Sequence, residues 1–529
     1  MRWAVVLLLL PLAGCLDEGA PAPEAPPTAV ADPFFDDALP AIDLSRLSAP
    51  VHDLLPVVEE IVVMSDGTAI HNAVFRPDTD VPVPVFINFS PYWGDTATAK
   101  GDNFGHYMVD NFVPRGYAVV LSSLRGTGPS EGCFEVGSDR EVRDLYEVID
   151  HFADASWSNG AVAAGGKSYD STPQNGLIAN HPHPALKGLF HVSGITDMYS
   201  YTFRHGVLER VDGGLFTTTY SSGYGGDQTC PEYLEGIVFP ASTTVTGLKT
   251  DYWIERDWTR TIGDSDWDGS IFFYHGYQDW NVQPSHILPW LDNLPEPITA
   301  KTKVWLHQDT ENNGHQYPQR SDWNVTMLRW MDSELKGIDT GFWDEPRVEV
   351  EDVSGTWHRL GDWPAAPIPV STEATGTTGA TPKPVHHVVV EDAGMADADG
   401  DTHITGALRI HVQVTAVQPD AVATAVVRLN GEWVGEAVLR LVYRDGLDAP
   451  SPVVPGQAMD VMLETYPLDV VVGPQDALTL EFGQDTAQTL LVPTQLEGVT
   501  YGAPVTVDLP ATPPTPLLQQ PRATPCFAC

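Results

Sequence analysis

The stretch Ala161-Val162-Ala163-Ala164-Gly165-Gly166-Lys167-Ser168-Tyr169-Asp170-Ser171 decides how this chain is read. Small apolar residues make a strand, the glycines allow a sharp turn, and Leu177 and Ile178 lie in a helical segment just beyond. A serine on such a turn projects its hydroxyl from the carboxyl edge of a sheet, beside a helix N-terminus that favours negative charge. The order expected to follow it is an acid and then a histidine. Both are present: Ile271-Phe272-Phe273-Tyr274 runs into a loop holding Asp279, and Lys303-Val304-Trp305-Leu306 leads to Asn312-Asn313-Gly314-His315. Ser168, Asp279 and His315 are the candidate catalytic residues, with His307 and Asp309 as rivals in the last loop.

The neighbouring sequence supplies a sheet for that turn to stand on. Glu60-Ile61-Val62-Val63-Met64 and Ala69 to Phe75 flank Ser65-Asp66-Gly67-Thr68 and predict a hairpin. Val83 to Phe89, Tyr117 to Leu121 and Leu189 to Val192 are apolar runs of strand length, suited to burial on both faces. Glu141 to Phe152 carries Val142, Leu145, Val148, Ile149 and Phe152 at helix spacing. Strands alternating with helices predict a mainly parallel α/β sheet. From about Asp197 to Asp268 the alternation lapses, which predicts an inserted cap. Past Pro346 the period becomes two: Leu408 to Val414 alternates, and Val426 to Leu429 meets Asn430-Gly431 before Glu432-Trp433-Val434, a hairpin signal. A β-sandwich is expected there. The resulting division is a leader at 1–14, a tether at 15–52, an α/β domain at 53–345 with its cap at about 197–268, the sandwich at 346–510 and a tail at 511–529.

Composition sets the outer bounds. Of 529 residues, 28 are Lys or Arg and 71 are Asp or Glu, a formal net charge of −43, which repels nucleic-acid backbones. A hydrophobic share of 42% is too high for a disordered acidic chain. The acid is spread along the whole length, which suits a protein kept soluble at high salt or, as the alternative, an ordinary acidic exported protein.

The N-terminus, Met1-Arg2-Trp3-Ala4 followed by an apolar run and Leu12-Ala13-Gly14-Cys15, resembles a lipoprotein signal peptide. The resemblance implies cleavage before Cys15, lipid on that cysteine, and an extracytoplasmic protein held to the membrane by its anchor. Disulfides are permitted in that compartment. Cys133 and Cys230, both in loops of the first domain, are the expected pair, although sequence alone does not fix connectivity. Cys526-Phe527-Ala528-Cys529 stands alone as a C-x-x-C pair.

Further segments carry a family resemblance. They are Phe89-Ser90-Pro91-Tyr92-Trp93, Arg115-Gly116-Tyr117-Ala118-Val119, Arg125-Gly126-Thr127-Gly128 with Ser130-Glu131-Gly132, Trp157-Ser158-Asn159-Gly160, the Ser168 turn, and His275-Gly276-Tyr277-Gln278-Asp279-Trp280-Asn281-Val282. Together they resemble the bacterial Xaa-Pro dipeptidyl-peptidases and the related cocaine-esterase-type hydrolases. The resemblance continues through Trp357, Trp363-Pro364, Leu441-Val442-Tyr443-Arg444-Asp445-Gly446 and Pro455-Gly456 into that family's jelly roll. It implies an α/β-hydrolase domain in which Ser168 attacks an acyl carbonyl, His315 transfers the proton and Asp279 orients the imidazole. The Tyr169 amide and the Tyr92 hydroxyl would form the oxyanion hole, and neither metal nor organic cofactor is required.

One position departs from the family: Ser171 stands where a glycine is usual three residues after the nucleophile. In the cap, Tyr199-Ser200-Tyr201-Thr202-Phe203-Arg204-His205 is the candidate wall of a proline pocket, with Tyr199 and Tyr201 as substrate-binding candidates. Asp264-Ser265-Asp266-Trp267-Asp268-Gly269 copies the opening of a calcium loop, but its twelfth position is His275 where a bidentate Glu is required. Three readings stand at this point: removal of Xaa-Pro dipeptides from peptide amino termini, hydrolysis of simple esters or amides, and a non-catalytic surface binding protein whose nucleophile turn has decayed.

Overall fold

A computed structural model describes residues 44–93, 103–209, 247–309, 314–378, 383–483, 490–491 and 498–517. Cys15, Cys230, Cys526 and Cys529 lie outside them, as does 210–246 of the expected cap.

The first sheet has ten strands. In chain order they are β1 (Val58–Val63), β2 (Ala69–Phe75), β3 (Val83–Ser90), β4 (Ala118–Ser123), β5 (Ser158–Lys167) and β6 (Leu186–Val192), then, after the two short cap strands β7 (Phe203–Arg204) and β8 (Val207–Glu209), β9 (Ser270–Gly276), β10 (Thr302–His307), β11 (Val348–Glu351) and β12 (Trp357–Leu360). Their spatial order is β1-β2-β4-β3-β5-β6-β9-β10-β11-β12. Every pair from β4 to β11 is parallel, and the outer pairs are antiparallel. This is the mainly parallel α/β sheet that the strand and helix alternation predicts, and it fits the α/β-hydrolase domain that the resemblance implies.

The apolar runs form central strands because helices cover both faces. Along β3, Val85, Ile87 and Phe89 share one core with Val142, Leu145 and Val148 of helix α2 (Asp139–Ala153). Phe86 points the other way and joins Phe104, Met108, Trp323 and Trp330, from the helices Asn103–Phe112 and Trp323–Lys336. The period-two alternation of a strand thus serves two separate cores. The parallel order also places the carboxyl ends of β5, β9 and β10, with their following loops, on one edge.

The sandwich comprises β13 (Pro367–Thr378), β14 (Lys383–Val388), β15 (Thr402–Gly406), β16 (Arg409–Ala416), β17 (Val422–Leu429), β18 (Glu432–Arg440), β19 (Ala458–Glu464), β20 (Leu468–Val472), β21 (Leu478–Phe482) and β23 (Val499–Thr512). The short strand β22 (Leu490–Leu491) leaves it to pair with β8 of the cap. The Asn430-Gly431 turn joins β17 to β18, with Asn430 at φ +53°.

The boundaries differ from those expected at three places. The sheet of the first domain runs on through β11 and β12 to Leu360, so the sandwich begins at β13. Val348-Glu349-Val350-Glu351 alternates like a half-exposed strand, yet both glutamates are buried. The Arg320 guanidinium lies 3.9 Å from the Trp305 ring and 4.6 Å from the Trp357 ring and pairs with Glu349, while Glu351 accepts the Gln308 amide at 2.9 Å. The tether ends earlier than residue 52: Leu47 is buried, and the Ser48 amide and hydroxyl each bond Asp332 at 2.7 Å. The tail begins later than 511: β23 extends to Thr512, and the Leu517 amide donates to the Trp357 carbonyl at 2.6 Å. At the cap base, buried Lys249 bridges Asp197 (2.9 Å) and Asp257 (2.6 Å).

Candidate active site

Two glycines make the serine turn possible. A Cβ on Gly165 (φ +151°) would fall 2.1 Å from the Phe190 carbonyl oxygen of β6, and one on Gly166 would fall 2.6 Å from the Asp170 Cβ. With only hydrogen there, β5 runs close against β6 and then breaks sharply. Ser168 follows at φ +64°, a left-handed conformation that a non-glycine residue adopts only when its surroundings hold it there. A single 3-10 turn, Ser168–Ser171, leads into helix α3 (Thr172–Asn180), and the Thr172 hydroxyl donates to the Ser168 carbonyl at 3.0 Å.

The Ser171 side chain is built into this turn. Its hydroxyl is buried, donates to the Gly166 carbonyl at 2.5 Å and accepts the Val192 amide at 3.3 Å. A Cβ added to Gly194 would come 2.7 Å from the Ser171 Cβ, so a small residue on each side keeps the approach open.

Asp279 stands in the loop after β9 and is fully buried. One carboxylate oxygen accepts the amides of Asn281 (3.0 Å) and Val282 (2.8 Å), and the other lies 2.8 Å from Nδ1 of His315. Burial works against the charged carboxylate, but the His315 imidazole and its hydrogen bond outweigh it and hold Asp279 below the usual range. His275 reaches the Val282 carbonyl at 2.8 Å, and burial pushes its imidazole down.

At Gly276 and Gly314 the acid and histidine loops approach each other backbone to backbone. A Cβ on Gly276 would be 2.4 Å from the Gly314 carbonyl, and one on Gly314 (φ +73°) would be 2.5 Å from the Asp279 amide. Lys167 Nζ donates to the His315 carbonyl at 3.4 Å, which sets the histidine loop beside the Ser168 turn. The three candidates therefore gather at the carboxyl edges of β5, β9 and β10. The rivals are placed otherwise: His307 stacks on Tyr274 with centroids 4.5 Å apart, and the Asp309 amide donates to the Gln278 side chain at 2.9 Å.

Tyr92 lies half-buried just past the end of β3, with its amide donating to the Ser90 hydroxyl at 3.0 Å. The Tyr169 ring turns away from the edge into the core, where its hydroxyl donates to Glu141 at 2.7 Å and accepts the Gly137 amide at 2.5 Å. Its hydroxyl is thus engaged within the core and does not face the sheet edge. Sequence reasoning missed Glu141, although Ser138 and Glu141 have capping-box spacing and Ser138 does cap α2. Tyr199 and Tyr201 do not present open hydroxyls: both are buried, with Tyr199 donating to the Gly247 carbonyl at 2.6 Å and Tyr201 to Asn281 at 2.9 Å. Cys133 is disulfide-bonded, while Cys230 is outside the described residues. Among the described residues no cluster of three or more His, Cys, Asp or Glu could hold a metal ion, and no helix is long and apolar enough to cross a membrane.

Comparison with known proteins bears on the family and the fold. The family model for X-Pro dipeptidyl-peptidase (S15 family) matches residues 66–310, and that for the X-Pro dipeptidyl-peptidase C-terminal non-catalytic domain matches residues 380–485. The chain belongs to this family of serine hydrolases. A Bacillus cereus relative, named provisionally as an Xaa-Pro dipeptidyl-peptidase, is 29% identical over 338 residues, 55% of this chain and 55% of its own length. The Xaa-Pro dipeptidyl-peptidase of Streptococcus gordonii is 29% identical over 303 residues, 51% of this chain but 38% of its own length. The chain thus spans about half the length, or less, of these S15 relatives. In fold it is similar to a CocE/NonD family hydrolase from Staphylococcus aureus (TM-score 0.66, 16% identity, 91% of this chain and 99% of that one). An α-amino acid ester hydrolase gives the same TM-score and identity over 91% of this chain and 100% of its own.

Proposed function

We propose that the chain is a serine peptidase that removes Xaa-Pro dipeptides from peptide amino termini through an acyl-enzyme on Ser168. The observation that carries this reading is Ser168 in a left-handed turn at the sheet edge where His315 and Asp279 are paired at 2.8 Å. With Nδ1 engaged by the carboxylate, His315 Nε2 is the nitrogen that exchanges protons. Ser168 Oγ adds to the substrate carbonyl as Nε2 takes its proton. The Tyr169 amide and Tyr92 hydroxyl receive the oxyanion, each such donor worth about 3–4 kcal/mol in comparable sites. Collapse of the tetrahedral adduct breaks the scissile bond, and His315 delivers the proton to the leaving amine. Water then repeats the sequence on the acyl-enzyme and restores Ser168.

The Leu12-Ala13-Gly14-Cys15 box supports a lipid anchor on Cys15 and an extracytoplasmic site of action. A Cys15→Ala chain found in the soluble rather than the membrane fraction would bear on that directly.

Gly-Pro-p-nitroanilide, its N-blocked counterpart and a p-nitrophenyl ester test the activity, with Ser168→Ala as control. Release from free Gly-Pro only, lost in the control, is the expected result. Ester cleavage alone would assign the chain to the cocaine-esterase type, and silence on all three would leave the binding-protein reading.

A further inference from the structure

The C-terminal-domain model that matches residues 380–485 describes a non-catalytic domain, yet a sandwich side chain reaches the loop that carries Asp279. Tyr277 lies two residues before Asp279 and is 3% exposed. Its hydroxyl donates to Oδ2 of Asp469, on β20, at 3.3 Å. The next residue, Gln278, donates from its side-chain amide to the Gln308 side chain, whose own amide donates to the Glu351 carbonyl at 3.0 Å and the Asp469 carbonyl at 3.5 Å. Both residues leading into Asp279 are therefore held against the same point of the sandwich.

Asp469 is itself fixed. It is fully buried, and its Oδ1 accepts Nε2–H of His403, on β15, at 2.7 Å. The His403 ring packs against that of His358 from β12, with centroids 4.2 Å apart and a tilt of 35°, and His358 donates to Asp352 at 2.8 Å. Two carboxylate-held imidazoles, one from each domain, form a column across the junction. Asp352 is held in turn, its amide donating to the Thr356 carbonyl at 2.9 Å. On the opposite side the Asp279 amide lies against Gly314, where a Cβ would come within 2.5 Å of it.

We propose that Asp469 is a positioning residue for Asp279, acting through the Tyr277 hydroxyl, so that docking of the sandwich fixes the orientation of the triad. The inference rests on the reading of Asp279 as the acid of a serine triad. A carboxylate displaced by a fraction of an ångström would no longer hold the His315 ring in line with Ser168, and losses of this kind fall on turnover more than on binding.

The test measures kcat and KM on whichever of the p-nitroanilide and p-nitrophenyl substrates the wild type turns over. Active sites are counted by end-point labelling with a fluorophosphonate, so that unfolded protein does not enter the comparison. Tyr277→Phe keeps the ring and its packing and is the variant expected to fold in every case. Tyr277→Phe and Asp469→Ala should each lower kcat per labelled site roughly tenfold with KM within about twofold. Asp469→Asn, whose oxygen stays on the Tyr277 hydroxyl while its NH2 donates to Nε2 of His403 in the other tautomer, should recover most of the loss, and the double variant should be no slower than the slower single one. An unchanged kcat in Tyr277→Phe, or losses that multiply in the double variant, would overturn the proposal while leaving the triad intact. Wild-type turnover that survives Ser168→Ala would instead overturn the triad reading, and this inference with it.

Discussion

Nδ1 of His315 stands 2.8 Å from Oδ2 of Asp279, and the other oxygen of that carboxylate is occupied by the Asn281 and Val282 amides. The carboxylate has no freedom to rotate, so it can only accept from Nδ1–H. An amide in its place would keep its oxygen on the two backbone donors and turn its NH2 toward His315. The ring would then carry its proton on Nε2, where it cannot accept one from serine. Asp279→Asn is expected to lower kcat by about 10³–10⁴ with little change in melting temperature. A loss below tenfold would remove Asp279 from the mechanism.

The contact between Gly276 and Gly314 makes a second expectation. A methyl group on Gly314 would sit 2.5 Å from the Asp279 amide and would also strain a backbone at φ +73°. The histidine loop must move outward to accept it, carrying His315 away from its partner. Gly314→Ala should cost about 10²-fold in kcat while the far-ultraviolet circular dichroism stays that of the wild type. Full activity would mean that the two loops approach each other less closely than this.

Ser171 is expected to be a matter of stability and not of chemistry. Replacing it with the glycine usual in the family removes the bond to the Gly166 carbonyl and leaves the Val192 amide without that acceptor. Ser171→Gly should lower the unfolding free energy by about 1–2 kcal/mol and leave kcat/KM within about twofold. A large gain in activity from the glycine would show that the serine impairs the turn.

The nucleophile turn and the two later loops were legible because each follows a strand whose residues are apolar almost without interruption, and because chain order alone ranks Ser168, Asp279 and His315. Where alternation was the signal it misled. Glu349 and Glu351 look like the wet face of a sandwich strand, and their burial depends on Arg320, Trp357 and Gln308, which are far off in sequence or silent about pairing. Tyr199 and Tyr201 look like a pocket wall until their hydroxyl partners, Gly247 and Asn281, are known. The Tyr277, Asp469 and His403 contact has no local pattern at all, since it joins residues nearly two hundred positions apart across two domains.

Glu141 supplies the pH-dependent expectation. It is fully buried beneath the nucleophile turn, and burial pushes its carboxyl up to about 7 from an ordinary 4.5, against the hydrogen bonds from the Tyr169 hydroxyl and the Gly137 and Glu135 amides. The folded state therefore keeps this proton at pH values where the unfolded chain has lost it. Its contribution to stability is complete below about 4.5 and is lost as pH rises toward 7, a change on the order of 3 kcal/mol. Denaturant unfolding of wild type and Glu141→Gln, compared at steps between pH 4.5 and 8, isolates this group from the other titrating residues. The wild type should lose stability relative to the variant across that interval and run parallel to it above. Parallel curves throughout would mean that Glu141 is ionised in the fold and held as a carboxylate by its three donors.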